Sequence, residues 1–194
     1  DLLARKDAHH LAVIGAGAQG RSHLAAMMEV RDIQKVTVYD QRREAAKKYQ
    51  KEMEEKYKIP VMVCDSVEEA VKGAEIICTV TPSKEPYLKA EWITPGAHIN
   101  AVGAFTPNTR EIESSLMAKA KLYADQVEAM KKECGEYLIP KNEGLFGEEH
   151  ITGSIGGILA GQVPGRENDT EITLFDALGL AVEDVACGRF LCRE

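Results

Sequence analysis

The stretch HLAVIGAGAQGR, residues 10–21, decides the predicted fold. The apolar run Leu11–Ile14 favours a buried β-strand, and a glycine turn follows it and leads into a helical segment. Gly15 permits the tight turn, Gly17 lets a phosphate approach bare backbone, and Gly20 lets the helix pack closely on the strand. The start of the helix offers unpaired N–H groups and the positive end of its dipole. This order of elements predicts a cradle for a pyrophosphate.

A second strand, Lys35–Tyr39, supports this prediction because an acidic residue ends it. Asp40 lies 20 residues beyond Gly20, where a carboxylate can accept hydrogen bonds from an adenosine ribose. The turn and the acid together predict a bound dinucleotide. A carboxylate repels the 2′-phosphate of NADP and therefore favours NAD. NADP is the alternative, because Arg42 and Arg43 follow directly and arginines can clamp a 2′-phosphate.

Apolar runs alternate with helical patterns along the whole chain. This alternation predicts one α/β domain over residues 1–194, with a doubly wound parallel (Rossmann) sheet and helices on both faces in three layers. Ligands of such sheets lie across the carboxyl ends of the strands. The predicted strands are Leu11–Ile14, Lys35–Tyr39, Val61–Cys64, Ile76–Val80, His98–Val102, Leu122–Ala124 and Ile172–Phe175.

Helical patterns occupy most of the segments between the predicted strands. Ser66 and Glu69 have the spacing of a capping box at the start of one short helix. Residues 1–9 are expected to be the tail of a helix that began earlier, and the sequence ends inside a helical pattern. We therefore expect this chain to be a piece of a longer protein. The other predictions are helices at Gln19–Glu29, Gln41–Lys58, Ile112–Lys119, Val127–Leu138 and Ser154–Ala160, a surface loop at Lys141–His150, and a closing amphipathic helix at Leu180–Leu191.

Composition excludes several classes of protein. The net charge of −7 argues against a nucleic-acid or membrane surface, which would want a basic face. No apolar run reaches the roughly 18 residues that span a bilayer. The five cysteines are odd in number and form no Cys-x-x-Cys pair, and Cys64 and Cys78 lie in strand-like runs. These features favour buried thiols in a cytoplasmic protein. The five histidines are scattered without ligand spacing, so no metal site is predicted.

Three segments together resemble the ornithine cyclodeaminase/mu-crystallin family. They are GAGAQGRSH at 15–23, INAVGAFTPNTREI at 99–112 and GRENDTEITLFDALGLAVEDVA at 165–186. The resemblance covers essentially the whole chain, which corresponds to the family's nucleotide-binding half. It implies that the family's N-terminal domain, which holds the substrate carboxylate and forms the homodimer, is absent from this chain.

The resemblance also implies an activity. Family members bind NAD or NADP and transfer hydride at the C–N bond of a small amino or imino acid, as amino-acid dehydrogenases or ketimine reductases. The chain alone is then expected to be inactive. Two alternatives are ornithine cyclodeaminase and a cofactor-dependent small-ligand binder. Cyclodeaminases use an aspartate for proton transfer where this chain has Phe105, so cyclisation is disfavoured and the catalytic residue is left unassigned.

The candidate cofactor site combines the glycine turn with the ends of four further strands. Arg21 could reach the pyrophosphate, and Gly103 could allow close approach of the nicotinamide. Small polar side chains at the end of the fourth strand could lie near the cofactor's ribose and nicotinamide, namely those of Thr79, Thr81 and Ser83. Asp176 is expected at the surface or at a helix cap rather than in catalysis. The predicted cofactor-binding residues are Gly15, Gly17, Ala18, Gln19, Gly20, Arg21, Asp40, Gln41, Arg42, Thr79, Thr81, Val102, Gly103, Leu178 and Gly179.

Overall fold

A computed structural model describes residues 1–192 of the chain. The strands are β1 (His10–Ile14), β2 (Lys35–Tyr39), β3 (Val61–Val63), β4 (Ile76–Thr79), β5 (His98–Ala101), β6 (Lys121–Ala124), β7 (Ile151–Ser154) and β8 (Thr173–Asp176). The helices are α1 (Ala18–Val30), α2 (Arg43–Tyr57), α3 (Val67–Val71), α4 (Ser114–Lys119), α5 (Val127–Glu133), α6 (Gly135–Asn142), α7 (Ile155–Leu159) and α8 (Ala181–Leu191). The seven strands predicted from the sequence are confirmed to within one residue at each end.

Within residues 1–192, eight strands form one parallel sheet in the order β3-β2-β1-β4-β5-β8-β6-β7. The chain builds outward from β1 in one direction and then crosses to β4 and builds in the other. This reversal between β1 and β4 is the switch point at which open α/β sheets hold their ligands. The predicted doubly wound parallel sheet is confirmed.

Apolar side chains cover both faces of the sheet. On one face, α1 and α2 bury Leu24, Ala46 and Tyr49 against β1, β2 and β4. On the other face, α3 to α6 bury residues such as Met130 and Tyr137. The predicted three layers follow from these two cores. None of the helices within residues 1–192 has the length and apolar character that crossing a bilayer requires.

The first nine residues are not helical, so that prediction is wrong. They form an irregular strap that is tied to the amino-terminal edge of the sheet. Leu3 is buried, and its carbonyl oxygen accepts hydrogen bonds from Arg166 Nε at 2.7 Å and from Thr173 Oγ1 at 3.1 Å. These long-range bonds hold the backbone without helical hydrogen bonding.

The single helix predicted over 127–138 is two helices, because the chain breaks at Cys134. Cys134 has extended backbone angles, and the amide of Gly135 donates to the carbonyl of Thr106 at 3.2 Å. A Cβ atom on Gly135 would lie 2.2 Å from the carbonyl oxygen of Thr109. The close approach of a distant loop therefore decides where α5 ends and α6 begins.

The segment predicted as a surface loop, 141–150, is only partly a loop. Helix α6 continues through Asn142, and a 3-10 turn occupies Glu148–His150. Strand β7, which the sequence did not predict, then adds to the edge of the sheet beside β6. Its four residues, ITGS, are too short and too polar to predict a strand.

Helix α8 forms where a closing helix was predicted, but it does not close the fold. All its residues are exposed in the described chain, including Val182, Val185 and Phe190 at 66–69%. Val182, Val185, Ala186 and Phe190 have the spacing of one helix face, but no element within the described residues packs on that face. The part of the prediction that falls on residues 193 and 194 lies outside the described residues.

Candidate functional site

The carboxyl ends of the strands lie level along one edge of the sheet. Ile14 of β1 pairs in register with Tyr39 of β2 and with Thr79 of β4. Thr79 pairs with Ala101 of β5, which pairs with Asp176 of β8. The residues that follow these strands therefore line a continuous edge, with the glycine turn at the switch point.

The three positions of the turn are glycine for different structural reasons. Gly15 has a φ of +112°, and a Cβ there would meet the Val80 carbonyl oxygen at 2.7 Å. A Cβ on Gly20 would lie 2.3 Å from the Gly15 carbonyl oxygen. A Cβ on Gly17 would meet no protein atom within 4 Å. The fold itself requires the first and last glycines, whereas the space beside Gly17 is open to a ligand.

The N-terminus of α1 faces this open space. Gly17 is its N-cap, no side chain caps the helix, and its first turn carries no acidic residue. Gly17, Ala18 and Gln19 are all exposed. The free N–H groups and the helix dipole are therefore available to an anion such as a pyrophosphate.

Arg21 folds back onto the glycine turn. Its Nη1 donates to the carbonyl oxygens of Ala16 at 2.5 Å and Gly17 at 2.9 Å, and its Nε and Nη2 bond Glu52 Oε2 at 2.8 and 2.6 Å. The guanidinium also lies 5.5 Å from the centre of the Tyr49 ring. In this arrangement Arg21 stabilises the turn by linking its carbonyl oxygens to Glu52 on α2.

Asp40 joins the end of β2 to the glycine turn. Its Oδ2 accepts from the amide of Ala16 at 2.9 Å, and its Oδ1 accepts from the amide of Arg42 at 2.8 Å. Its side chain is 12% exposed, whereas that of Arg42 is 80% exposed and reaches to 3.7 Å from Asp40 Oδ1. Arg43 forms an ion pair with Asp65. Each carboxylate oxygen of Asp40 retains a lone pair for a sugar hydroxyl.

A cleft of about 480 Å³ runs from the glycine turn past the end of β4. It brings together the predicted residues Gly15, Gly17, Asp40, Gln41, Arg42 and Thr81. It also contains Ser83, which was expected near the cofactor's ribose and nicotinamide. The remaining lining residues were not singled out from the sequence, and they are Ile14, Tyr39, Val67, Val80, Pro82 and Tyr87. A mostly apolar lining with a few polar groups is typical of a small-molecule site.

Other predicted residues lie outside this cleft. Thr79 is fully buried, and its hydroxyl has no hydrogen-bond partner within the described chain. Its carbonyl oxygen accepts from the amides of Val102 at 3.0 Å and Gly103 at 3.1 Å. A Cβ on Gly103 would lie 2.2 Å from the Thr81 carbonyl oxygen, so packing alone requires this glycine. Thr79, Val102 and Gly103 stay predictions as cofactor ligands.

The exit of β8 is tied to the end of β6. Gly179 has a φ of +86°, and its amide donates to Asp125 Oδ2 at 2.7 Å. Leu178 packs against the core on the side of α3 to α6. Phe105, in the loop after β5, is 66% exposed and has no group that can transfer a proton. Leu178 and Gly179 thus follow the carboxyl end of β8, and their role as cofactor ligands stays a prediction.

Two buried glutamates were missed by the sequence analysis. Glu111 is fully buried, and its carboxylate accepts hydrogen bonds from groups on two neighbouring loops. Glu136, at 1% exposure, accepts from the amides of Glu111 at 2.5 Å and Ile112 at 3.2 Å. Burial, followed by the nearby Asp176 carboxyl, raises the pKa of Glu136 well above its usual range. No signal in the sequence connects these residues to their partners, which are up to 30 positions away.

Asp176 was expected at the surface or at a helix cap, and this prediction is wrong. The residue is fully buried at the end of β8, and neither carboxylate oxygen has a hydrogen-bond partner within residues 1–192. Burial raises its pKa from 3.8 to about 7; the Cys134 thiol favours the charged form, while Asp125 and Glu111 oppose it. Among the described residues no group of three potential ligands could hold a metal ion.

The fold and the site define an α/β protein of the Rossmann type, with an open glycine turn at the switch point of its sheet. The chain belongs to the ornithine cyclodeaminase/mu-crystallin family, whose model matches residues 2–193. The resemblance inferred from three segments of sequence is confirmed.

Named relatives agree in fold and in sequence. The structure of Thermococcus litoralis Δ(1)-pyrroline-2-carboxylate reductase with NADH and L-proline superposes with a TM-score of 0.95 at 41% identity, covering 97% of this chain and 58% of that one. An archaeal alanine dehydrogenase dimer with bound NAD superposes with a TM-score of 0.91 at 40% identity, covering 97% and 57%. The Δ(1)-pyrroline-2-carboxylate reductase of Bacillus cereus is 40% identical over 190 residues, 97% of this chain and 58% of its own length. The chain thus spans less than three-fifths of these relatives.

Proposed function

We propose that the complete protein is an NAD-dependent oxidoreductase that transfers hydride to or from the C–N bond of a small amino or imino acid. The observation that carries this proposal is the open space beside Gly17, at the N-terminus of α1 and one strand away from Asp40. The protein's own packing gives no reason for a glycine there, and a pyrophosphate does. The structures of two relatives, one in complex with NADH and one with bound NAD, support the same cofactor.

The residues of this chain bind and orient rather than react. The amides of Ala18 and Gln19 would hold the pyrophosphate, and Asp40 would accept the hydroxyls of the adenosine ribose. Thr81 and Tyr87 would form the wall of the cleft toward the reacting end. When bound, the nicotinamide supplies or accepts the hydride, and the protein determines its distance and orientation to the substrate.

Asp40 supports NAD over NADP. A carboxylate about 4 Å from a 2′-phosphate is repelled by about 1–4 kcal/mol, depending on the local dielectric. Arg43 is held by Asp65, which leaves the exposed Arg42 to offset that repulsion. We therefore expect NADH to bind at least about tenfold more tightly than NADPH, since 1.4 kcal/mol is a factor of ten.

Fluorescence titration of the complete protein with each nucleotide measures this difference. Asp40→Ser should bring the two affinities together, because it removes the repulsion and the ribose acceptors at once. Glu44→Ser, which changes an exposed residue in the first turn of α2, is the matched control. Equal affinity for NADH and NADPH in the unaltered protein would contradict the assignment, and no binding of either would overturn the proposed function.

Substrates of the relatives suggest the first assays. Cyclic imino acids with NADH, and alanine or proline with NAD, match the relatives' names. Ornithine cyclisation is disfavoured because Phe105 replaces the aspartate that the family's cyclodeaminases use for proton transfer. Ammonia release from ornithine without net NADH formation would restore that alternative, and tight ligand binding without turnover would favour a binding protein.

The substrate-anchoring residues belong, in this proposal, to the part of the relatives that this chain does not span. A homodimer of the complete protein is supported by the archaeal alanine dehydrogenase, which is described as a dimer. The cytoplasmic location predicted from the sequence stays a prediction.

A further inference from the structure

We propose that Glu111 is a positioning residue that fastens the loop after β4 to the loop after β5, so that the two walls of the reaction site keep one spacing. The inference rests on the proposed function, because it concerns the geometry of that hydride transfer. Glu111 itself is fully buried and does not line the cleft. It acts through the residues that it holds.

The carboxylate of Glu111 joins four donors from two loops. Its Oε1 accepts from the amide of Thr81 at 2.8 Å, the hydroxyl of Thr81 at 2.6 Å and the hydroxyl of Tyr87 at 2.6 Å. Its Oε2 accepts from the amide of Gly103 at 3.0 Å. Thr81 and Tyr87 line the cleft, and Gly103 begins the loop after β5. One side chain therefore connects a wall of the cleft to the loop after β5, which in this proposal forms the second wall of the reaction site.

The two loops are in close contact at this point. A Cβ on Gly103 would lie 2.5 Å from Glu111 Oε2 and 2.2 Å from the carbonyl oxygen of Thr81. No larger residue fits without separating the loops. The spacing between the walls is therefore determined by the Glu111 contact and by the absence of a side chain at Gly103.

Hydrogen bonds of its own backbone hold Glu111 in place. Its amide donates to Glu136 on α6, and its carbonyl oxygen accepts from the amides of Tyr87 at 2.8 Å and Leu88 at 2.9 Å. Within residues 1–192 no lysine or arginine forms an ion pair with Glu111. The carboxylate is thus stabilised by directed hydrogen bonds, which determine geometry more strictly than a mobile surface ion pair does.

Hydride transfer is sensitive to this geometry, because a misplacement of about 1 Å can lower a rate by about 100-fold. The proposed contacts to the pyrophosphate and the adenosine ribose lie instead at the glycine turn and Asp40, which Glu111 does not contact. Loosening the Glu111 contacts should therefore lower kcat much more than it weakens NADH binding.

The test uses Glu111→Gln and Tyr87→Phe in the complete protein. Glutamine can keep the oxygen that faces Thr81 and Tyr87, but it places an amide N–H against the amide of Gly103. We expect kcat for cyclic-imine reduction to fall about 10–100-fold and the Kd for NADH to change less than about threefold. Tyr87→Phe removes one donor and should lower kcat about 3–10-fold. Tyr57→Phe, at a half-buried tyrosine on α2, is the control.

The double variant distinguishes one connection from two independent effects. If Glu111 connects the walls, Glu111→Gln with Tyr87→Phe lowers kcat less than the product of the two single losses. A kcat for Glu111→Gln within twofold of the unaltered protein, fully multiplicative losses, or an equal loss of NADH affinity and kcat would overturn the inference. If Glu111→Gln does not fold, Tyr87→Phe decides by the same split between kcat and Kd.

If the proposed function is wrong, these experiments give a result that differs from a failure of the positioning role alone. The unaltered protein would then neither bind NADH nor reduce a cyclic imine, and the inference would be overturned with it. An active unaltered protein with an unaffected Glu111→Gln variant overturns the positioning role alone.

Discussion

Two regions of the sheet build their parts of the site in different ways. The glycine-turn half, residues 10–57, uses exposed backbone groups at the start of α1 and the partly exposed carboxylate of Asp40. The carboxylate half, residues 98–176, uses the buried acids Glu111, Glu136 and Asp176. The first half offers open backbone to a ligand, whereas the second determines how rigidly neighbouring loops are held.

The comparison shows that polar groups near one edge of a sheet can serve different purposes. An exposed amide at a helix start gains energy only when an anion arrives. A buried carboxylate must be satisfied by the protein itself or destabilise it. Substitutions in the glycine-turn half should therefore affect binding, and substitutions in the carboxylate half should affect stability and geometry.

The largest expected effect is the loss of Glu136. Glu136→Ala leaves the buried amides of Glu111 and Ile112 without their acceptor, and each unsatisfied group costs about 1–3 kcal/mol. We expect the free energy of unfolding to fall by about 2–5 kcal/mol in urea denaturation. Glu133→Ala, three positions earlier at an exposed site, should change it by less than about 0.5 kcal/mol. A loss below about 1 kcal/mol for Glu136→Ala would show that both amides find other partners.

A smaller effect separates the glycines of the turn. Gly20→Ala forces a Cβ to 2.3 Å from the Gly15 carbonyl oxygen and should destabilise the protein by about 1–3 kcal/mol. Gly17→Ala meets no protein atom and should cost only the about 0.5–1 kcal/mol of a poorer N-cap, while weakening NADH binding about tenfold or more. Thermal unfolding and NADH titration of both variants measure the contrast. Unchanged NADH affinity in Gly17→Ala would mean that no phosphate approaches that backbone.

The smallest of the three effects depends on pH. Because the pKa of Asp176 is raised from 3.8 to about 7 on folding, the native state holds a proton that the unfolded state releases between those values. This stabilising contribution is complete below about pH 4 and is lost as the pH rises through about 7. Asp176→Asn keeps the neutral shape and should be more stable than the unaltered protein by about 1–3 kcal/mol at pH 8, with the gain shrinking toward pH 5.

Urea denaturation at pH 5 and pH 8 measures this difference. The groups that face Asp176 are Cys134, Asp125, Glu111 and Glu136, and they remain in both proteins, so the comparison isolates one carboxyl. Glu183→Gln on the exposed helix α8 is the control for a carboxylate without burial. An equal stability difference at both pH values would contradict the raised pKa.

Features of the glycine-turn half could be predicted from the sequence more fully than features of the carboxylate half. In the glycine-turn half, strand β1, the start of α1 and the position of Asp40 follow from local rules of turn geometry and apolar periodicity. In the carboxylate half, the break at Cys134 and strand β7 were missed. These features depend on Gly135 approaching a loop 29 positions earlier in the sequence and on a sheet edge that had to exist first.

The sequence by itself determined the parallel α/β fold, the family and the candidate pyrophosphate cradle, because turn conformations and strand periodicity are set by residues near one another. Only the tertiary structure decided that Asp176 is buried, that Arg21 folds back on its own turn and that Glu111 connects two loops. These outcomes depend on burial and on contacts between segments far apart in the chain. A residue's type and spacing do not specify such surroundings, because desolvation and hydrogen-bond partners exist only once the fold has brought the segments together.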